Sequence, residues 1–144
     1  MRHLARRFAG SLSRHEPHVA DTAWAESLLL EGELQLWRRM GAADRRHSIV
    51  VARRFENLAG DEWTRDEIAG ALLHDIGKLD ADIGTFSRVV ATVVGPRTAR
   101  FRSYHDHERI GAEMLAAAGS SAVTVDLVIG KGRAAAALAE ADNI

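Results

Sequence analysis

Apolar residues in this chain return every three or four positions, the period of an α-helix with one buried face. Glycines and capping residues cut that pattern into segments. A first helix is expected to open near Asp21 and cover Thr22 to Leu30. A second runs from about Glu33 to Met40, where Gly41 ends it. A third covers about Asp44 to Ala59 and stops at Gly60. Thr64-Arg65-Asp66-Glu67 has the capping-box pattern, in which threonine and glutamate each satisfy an end amide. It opens a fourth helix that carries Ile68, Ala71 and Leu72 and breaks at Gly77. A fifth is expected over about Gly84 to Val94, ending at Gly95-Pro96. Another spans His107 to Ala118 with Gly119 as its stop, and the next runs from a Ser120 or Ser121 cap to about Ile129. After the break at Gly130-Lys131-Gly132, a last short helix covers Ala134 to Asp142. The β-branched stretches Val123-Thr124-Val125 and Val89 to Val94 are short and have no partner strand, so they are not read as strands. The expected fold is all-α, a single-domain helical bundle.

Composition fits that picture and removes several function classes. The chain has 144 residues, 47% hydrophobic and 27% charged, the balance of one ordinary globular domain. It has no cysteine, which excludes disulfides, thiolate metal sites and cysteine nucleophiles. The net charge of −1 provides no global field for nucleic acid or an anionic membrane, and duplex nucleic acid is not an expected partner. The apolar run Ala122 to Ile129 is too short to span a bilayer. Met1 to His15 carries Arg2, Arg6, Arg7 and Arg14 and no acid, but no long apolar stretch follows it and Phe8 is its only aromatic residue. Residues 1–20 are therefore read as a basic, partly ordered N-terminal segment and not as a secretory signal or a single-strand nucleic-acid platform. Residues 21–144 form the domain, and the protein is read as cytoplasmic. Trp24, Leu28 and Trp37 serve either the core or a dimer surface; core is the favoured use, and a homodimer is left open.

Polar groups interrupt the apolar faces at specific places. His47, Val51, Phe55 and Leu58 are spaced four, four and three apart, so a histidine points where the core should be. Ile68, Ala71, Leu72 and Asp75 form the stripe of the fourth helix, and His74 lies three residues from Ala71. His107, Gly111, Leu115 and Ala118 share a face, as do Ala135, Leu138 and Asp142. A buried charge costs several kcal/mol unless it is paired or bound to metal. Two histidines and two carboxylates turned into one helical core suit a borderline or hard divalent ion. For each residue taken singly, a hydrogen-bonded core group remains the alternative.

The string Leu72-Leu73-His74-Asp75-Ile76-Gly77-Lys78 resembles the core motif of the HD superfamily of metal-dependent phosphohydrolases. The family order is a histidine, a His-Asp pair and a distal aspartate; here it reads His47, His74-Asp75 and Asp142. Arg45-Arg46-His47 and Ala141-Asp142-Asn143 are similar to the flanking text of the family, so the resemblance runs from Arg45 to Asn143. It implies an HD-type helical bundle with His47, His74, Asp75 and Asp142 as ligands of one divalent metal ion, with Mn, Mg, Fe, Co, Ni and Zn all open. His107-Glu108-Arg109-Ile110-Gly111 looks like the family's His-x-x-x-Gly element, which implies that His107 meets a substrate phosphate or a second metal. Gly111 would let a neighbouring element approach closely.

The chain departs from the two-metal pattern. No histidine follows His107, and the stretch where further ones are usual reads Val128-Ile129-Gly130-Lys131-Gly132-Arg133, so a single ion is expected. The Gly-Tyr-Pro motif of cyclic-di-GMP phosphodiesterases is missing, as is the Glu-Asp of ppGpp hydrolases. The implied reaction is metal-dependent hydrolysis of a small phosphorylated substrate, a nucleotide or another phosphoester. Asp75 would act as ligand and as acceptor of a water proton. Lys78 would act at the reacting phosphate, and Lys78 and Arg46 are both placed to meet its negative charge. The alternative is an HD-fold module that binds a ligand or partner without catalysis.

Overall fold

The structure, a computed structural model, describes residues 15–79 and 96–143, with side chains in the second segment from Asp106 onward. Among the described residues there are seven α-helices and no strand. They are α1 (Val19–Ser27), α2 (Glu31–Arg39), α3 (Ala42–Ala59), α4 (Arg65–Leu72), α5 (Pro96–Ala117), α6 (Ala122–Val128) and α7 (Ala135–Asp142). Short 3-10 turns occupy Gly60–Glu62 and Ile76–Leu79. None of the helices is long and apolar enough to cross a membrane. The all-α expectation holds, and Val123-Thr124-Val125 lies in α6. The expected helix from Gly84 to Val94 and most of the basic N-terminal segment lie outside the described residues.

Local chemistry sets the helix ends. The Thr64 hydroxyl accepts the Glu67 amide and the Glu67 carboxylate accepts the Thr64 amide at 3.0 Å, the reciprocal box expected from the sequence. Ser121, and not Ser120, caps α6 through the Thr124 amide. Helix α5 opens at Pro96, well before the expected His107. Proline has no N–H to lose in a first helical turn, so the residue read as the stop of one helix is the start of another.

Helix α3 is the central element; it packs against α4 and α7, while α4 packs on α6 and α5 covers both α6 and the turn Ile76–Leu79. The core is built on Trp37, Phe55, Ile68, Leu72, Leu115 and Leu127, all fully buried. Trp37 is core, as the sequence reading favoured, and its indole N–H donates to Ser48 Oγ at 3.0 Å. Trp24 and Leu28 are half-buried against that core, and the Arg53 guanidinium sits 3.6 Å over the Trp24 ring. Leu58 is exposed, in contrast to the expected stripe: the buried face of α3 runs through Ser48, Ile49, Val51, Ala52 and Phe55 and turns away before Leu58. Among the described residues Glu33 is the fully buried acid, and it is satisfied on every side that matters. It accepts the Leu30 amide at 2.9 Å, Arg65 Nη1 at 3.0 Å and the Ser120 hydroxyl at 2.7 Å, which ties α2 to α4 and to the segment after α5.

Candidate metal centre

The site grows from the way α4 ends. Leu73 leaves helical geometry with φ −111° and ψ 10°, so His74 and Asp75 lie in the turn that follows α4 and not on its last helical turn. The turn is held by backbone bonds of 3.0 Å from Ile76 N–H to the Leu73 carbonyl and from Lys78 N–H to the Asp75 carbonyl. Leu72, Leu73 and Ile76 anchor it in the core. Gly77 and Gly111 then let this turn press against α5: a Cβ on Gly77 would overlap the His107 carbonyl oxygen and stand 2.8 Å from its carbon. A Cβ on Gly111 would lie 3.1 Å from the Gly77 nitrogen. Two glycines thus bring His107 alongside the His74-Asp75 turn, the close approach expected at Gly111.

His74 donates from Nδ1 to the Ala71 carbonyl at 2.8 Å, because a carbonyl can only accept. In the neutral ring this leaves Nε2 as a lone pair, the orientation that backbone carbonyls impose on metal-binding histidines. Nε2 is buried and has no well-formed hydrogen bond; the nearest oxygens, Asp142 Oδ1 and Asp75 Oδ2, stand at 3.3 and 3.4 Å. From α3, His47 Nε2 comes to 3.1 Å from Asp142 Oδ1. The two imidazole centroids are 5.8 Å apart, and one ligand atom each from His47, His74 and Asp75 fall within 4.8 Å of one another. Two imidazole nitrogens and the Asp75 carboxylate, with one nitrogen orphaned in the core and Asp142 beside both rings, are a donor set that could hold a divalent ion.

Beside this cluster lies a cavity of about 140 Å³. His74, Asp75, Lys78, His107 and Asp142 line its polar side, and Val128 and Leu138 face them. His107 Nε2 is buried there without a hydrogen-bond partner. Lys78 Nζ stands 3.1 Å from Asp75 Oδ2. Arg46 is placed elsewhere: it donates to the His15 carbonyl and is not among the residues lining the cavity. Glu108 does line it, which the sequence reading missed. Adjacent residues on a helix point about 100° apart, so periodicity that turns His107 inward argues against Glu108.

Protonation follows from this geometry. The hydrogen bond from His47, and then the His74 imidazole close beside it, hold the Asp142 carboxyl far below the usual carboxylate range, against the cost of burial. Burial opposes protonation of His74, but the carboxylates of Asp142 and Asp75 outweigh it and raise the His74 pKa above its ordinary value. A raised histidine pKa stabilises the fold below the unfolded value of about 6.5 and ceases to do so as pH rises through the folded value. A depressed aspartate pKa stabilises it above about 3.9 and ceases to as pH falls below that. The metal-free protein should therefore melt highest between about pH 4 and 6.5. Metal affinity has the opposite sense, since His74 must lose its proton to bind. Melts with chelator and with added metal should diverge as pH rises through the raised pKa of His74; parallel curves would remove His74 from the ligand set.

A helical bundle that gathers two histidines and an aspartate within 4.8 Å, with a second aspartate beside both imidazoles, defines a class of helical metal-site proteins. The sequence model of the HD domain family matches residues 45–139, about two thirds of the chain. The chain belongs to the HD domain family, a superfamily of metal-dependent phosphohydrolases whose members typically bind divalent metals. The match takes in His47, His74, Asp75 and His107 and stops at Ala139, before Asp142. No curated protein and no solved structure matches the chain.

Proposed function

We propose that the protein is a metal-dependent phosphohydrolase acting on a small phosphoester, with nucleotides among the candidates. The observation that carries this reading is the orphaned Nε2 of His74, fixed by the Ala71 carbonyl toward Asp75 and Asp142 at the edge of a cavity that also holds His107 and Lys78. His47, His74, Asp75 and Asp142 would hold one ion, with Mn, Mg, Fe, Co, Ni or Zn compatible with the nitrogen and oxygen donors. When bound, the ion supplies a Lewis acid for a phosphoryl oxygen and lowers the pKa of water.

The chain's own residues supply the rest. Asp75 accepts the proton of the attacking water. Lys78, at rest on Asp75, is the cation within the cavity that meets charge developing on phosphate. His107 contacts a phosphate oxygen through its unpartnered Nε2. Val128 and Leu138 keep water from the far wall. A second reading has one observation in its favour: Asp142 Oδ1 lies 3.1 Å from His47 Nε2 and 3.3 Å from His74 Nε2, close enough to tie the two imidazoles together as the polar triad of a non-catalytic module.

The test strips the protein with chelator, reloads it with Mn²⁺, Mg²⁺, Co²⁺ or Fe²⁺, and measures phosphate release. The panel holds aryl phosphomonoesters and diesters, nucleoside mono-, di- and triphosphates and cyclic nucleotides. Release that depends on reloading is expected. A metal-replete protein inert across the panel decides for the module.

A further inference from the structure

We infer that Arg54 is a positioning residue for this centre: from α3 it grips the end of α7 and so keeps Asp142 within reach of His47 and His74. The inference rests on the metal-centre reading above. Helix α7 is eight residues long and ends on Asp142. A helix of that length does not stand alone in water, and the carbonyls of its last turn have no partner within the helix. Leu138 and Ala141 hold its inner face in the core. One of the open carbonyls, that of Ala141, accepts a hydrogen bond from Arg54 Nε at 3.0 Å. The guanidinium also sits at the negative end of the helix dipole.

The placement on α3 makes the bond specific to the site. Arg54 follows His47 by seven residues, two turns on, so both project from one face. His47 meets the Asp142 side chain at 3.1 Å, and Arg54 meets the carbonyl of the residue immediately before it. One helix therefore fixes both the carboxylate and the backbone that carries it. Arg53, immediately before it, is engaged elsewhere, over Trp24 and with Glu56. Arg54 is not among the residues lining the cavity, so its effect passes through Asp142.

The test is a double-mutant cycle on metal affinity. Mn²⁺ binding is measured by calorimetry on the full chain, for the wild type and for Arg54→Met, Arg54→Lys, Asp142→Asn and Arg54→Met with Asp142→Asn. Arg54→Met should weaken Mn²⁺ binding about tenfold, the usual scale for a group that orients a ligand. Arg54→Lys should recover part of it, since an ammonium can still reach the carbonyl. In the Asp142→Asn background Arg54→Met should change nothing further. Amide exchange in the metal-free Arg54→Met protein should quicken over α7 and stay unchanged in α4. Equal Mn²⁺ affinity in wild type and Arg54→Met overturns the positioning role alone. So does an undiminished Arg54→Met effect without Asp142. A wild type that binds no Mn²⁺ overturns the metal-centre reading, and this inference with it.

Discussion

Gly77→Ala should lower both stability and metal affinity, and by more than Gly111→Ala does. Gly77 is not one of the glycines with positive φ, so its requirement is space and not backbone freedom. The added methyl would overlap the His107 carbonyl oxygen and come within 3.0 Å of the Gly111 nitrogen. These are backbone atoms of α5 and cannot swing aside as a flexible side chain can. The turn Ile76–Leu79 must then separate from α5, at a cost of about 1–3 kcal/mol or more for overpacking a filled core. In a domain whose whole stability is about 5–15 kcal/mol, the urea midpoint should fall visibly. The same displacement carries His74 and Asp75 away from Asp142 and His107, so metal binding should weaken along with it. The methyl of Gly111→Ala meets Ile76 Cγ2 at 3.2 Å and the Gly77 nitrogen at 3.1 Å, contacts that a small adjustment relieves. Urea melts and metal titrations of the two variants give the order directly. A Gly77→Ala protein as stable as wild type, or a Gly111→Ala protein that is worse, contradicts the close-packed turn.

Much of this fold could be read from periodicity, and the failures share a cause. The boundaries of α2, α3, α6 and α7 fall within about two residues of those the apolar spacing predicts, because a helix with one buried face writes its period into the chain. The start of α5 at Pro96 was hidden because a proline between two helical patterns serves equally as the end of one or the start of the next. Spacing alone places Leu58 with the core because a stripe extended by three drifts from one extended by four; Ser48 and Ile49 hold the buried face in its place. The convergence of His47 with Asp142 joins residues 95 positions apart, a distance that no local spacing encodes. What pointed to it was the family resemblance around His74-Asp75, together with titratable groups on faces that should be apolar. Contacts of the Glu33, Arg65 and Ser120 kind had no signal at all, since each partner alone looks like an ordinary surface residue.

Asp75→Asn and His74→Ala should each abolish the stabilisation that metal confers, while leaving the metal-free fold largely intact. A ligand that binds only the native state at 100 times its Kd adds about 2.7 kcal/mol, which for a domain near this size raises Tm by roughly 5–10 °C. Removing a ligand atom should erase that shift. Asp75→Asn preserves shape, removes one oxygen donor and its charge, and leaves Lys78 without its partner at 3.1 Å. His74→Ala removes the buried nitrogen and leaves Asp142 with His47 alone. Ile68, Ala71, Leu72 and Leu73 hold the end of α4 in both variants, so the metal-free melts should stay close to that of the metal-free wild type, His74→Ala losing somewhat more because its ring is nearly buried. Hydrolysis should fall by about three orders of magnitude in Asp75→Asn if the carboxylate also accepts the proton of water. The comparison separates the roles: a purely structural ion predicts a metal-dependent Tm in the wild type, its loss in both variants and no turnover in any of the three. A variant that keeps the full metal-dependent rise in Tm shows that its residue is not a ligand, and one that keeps turnover shows that it is not needed for the reaction.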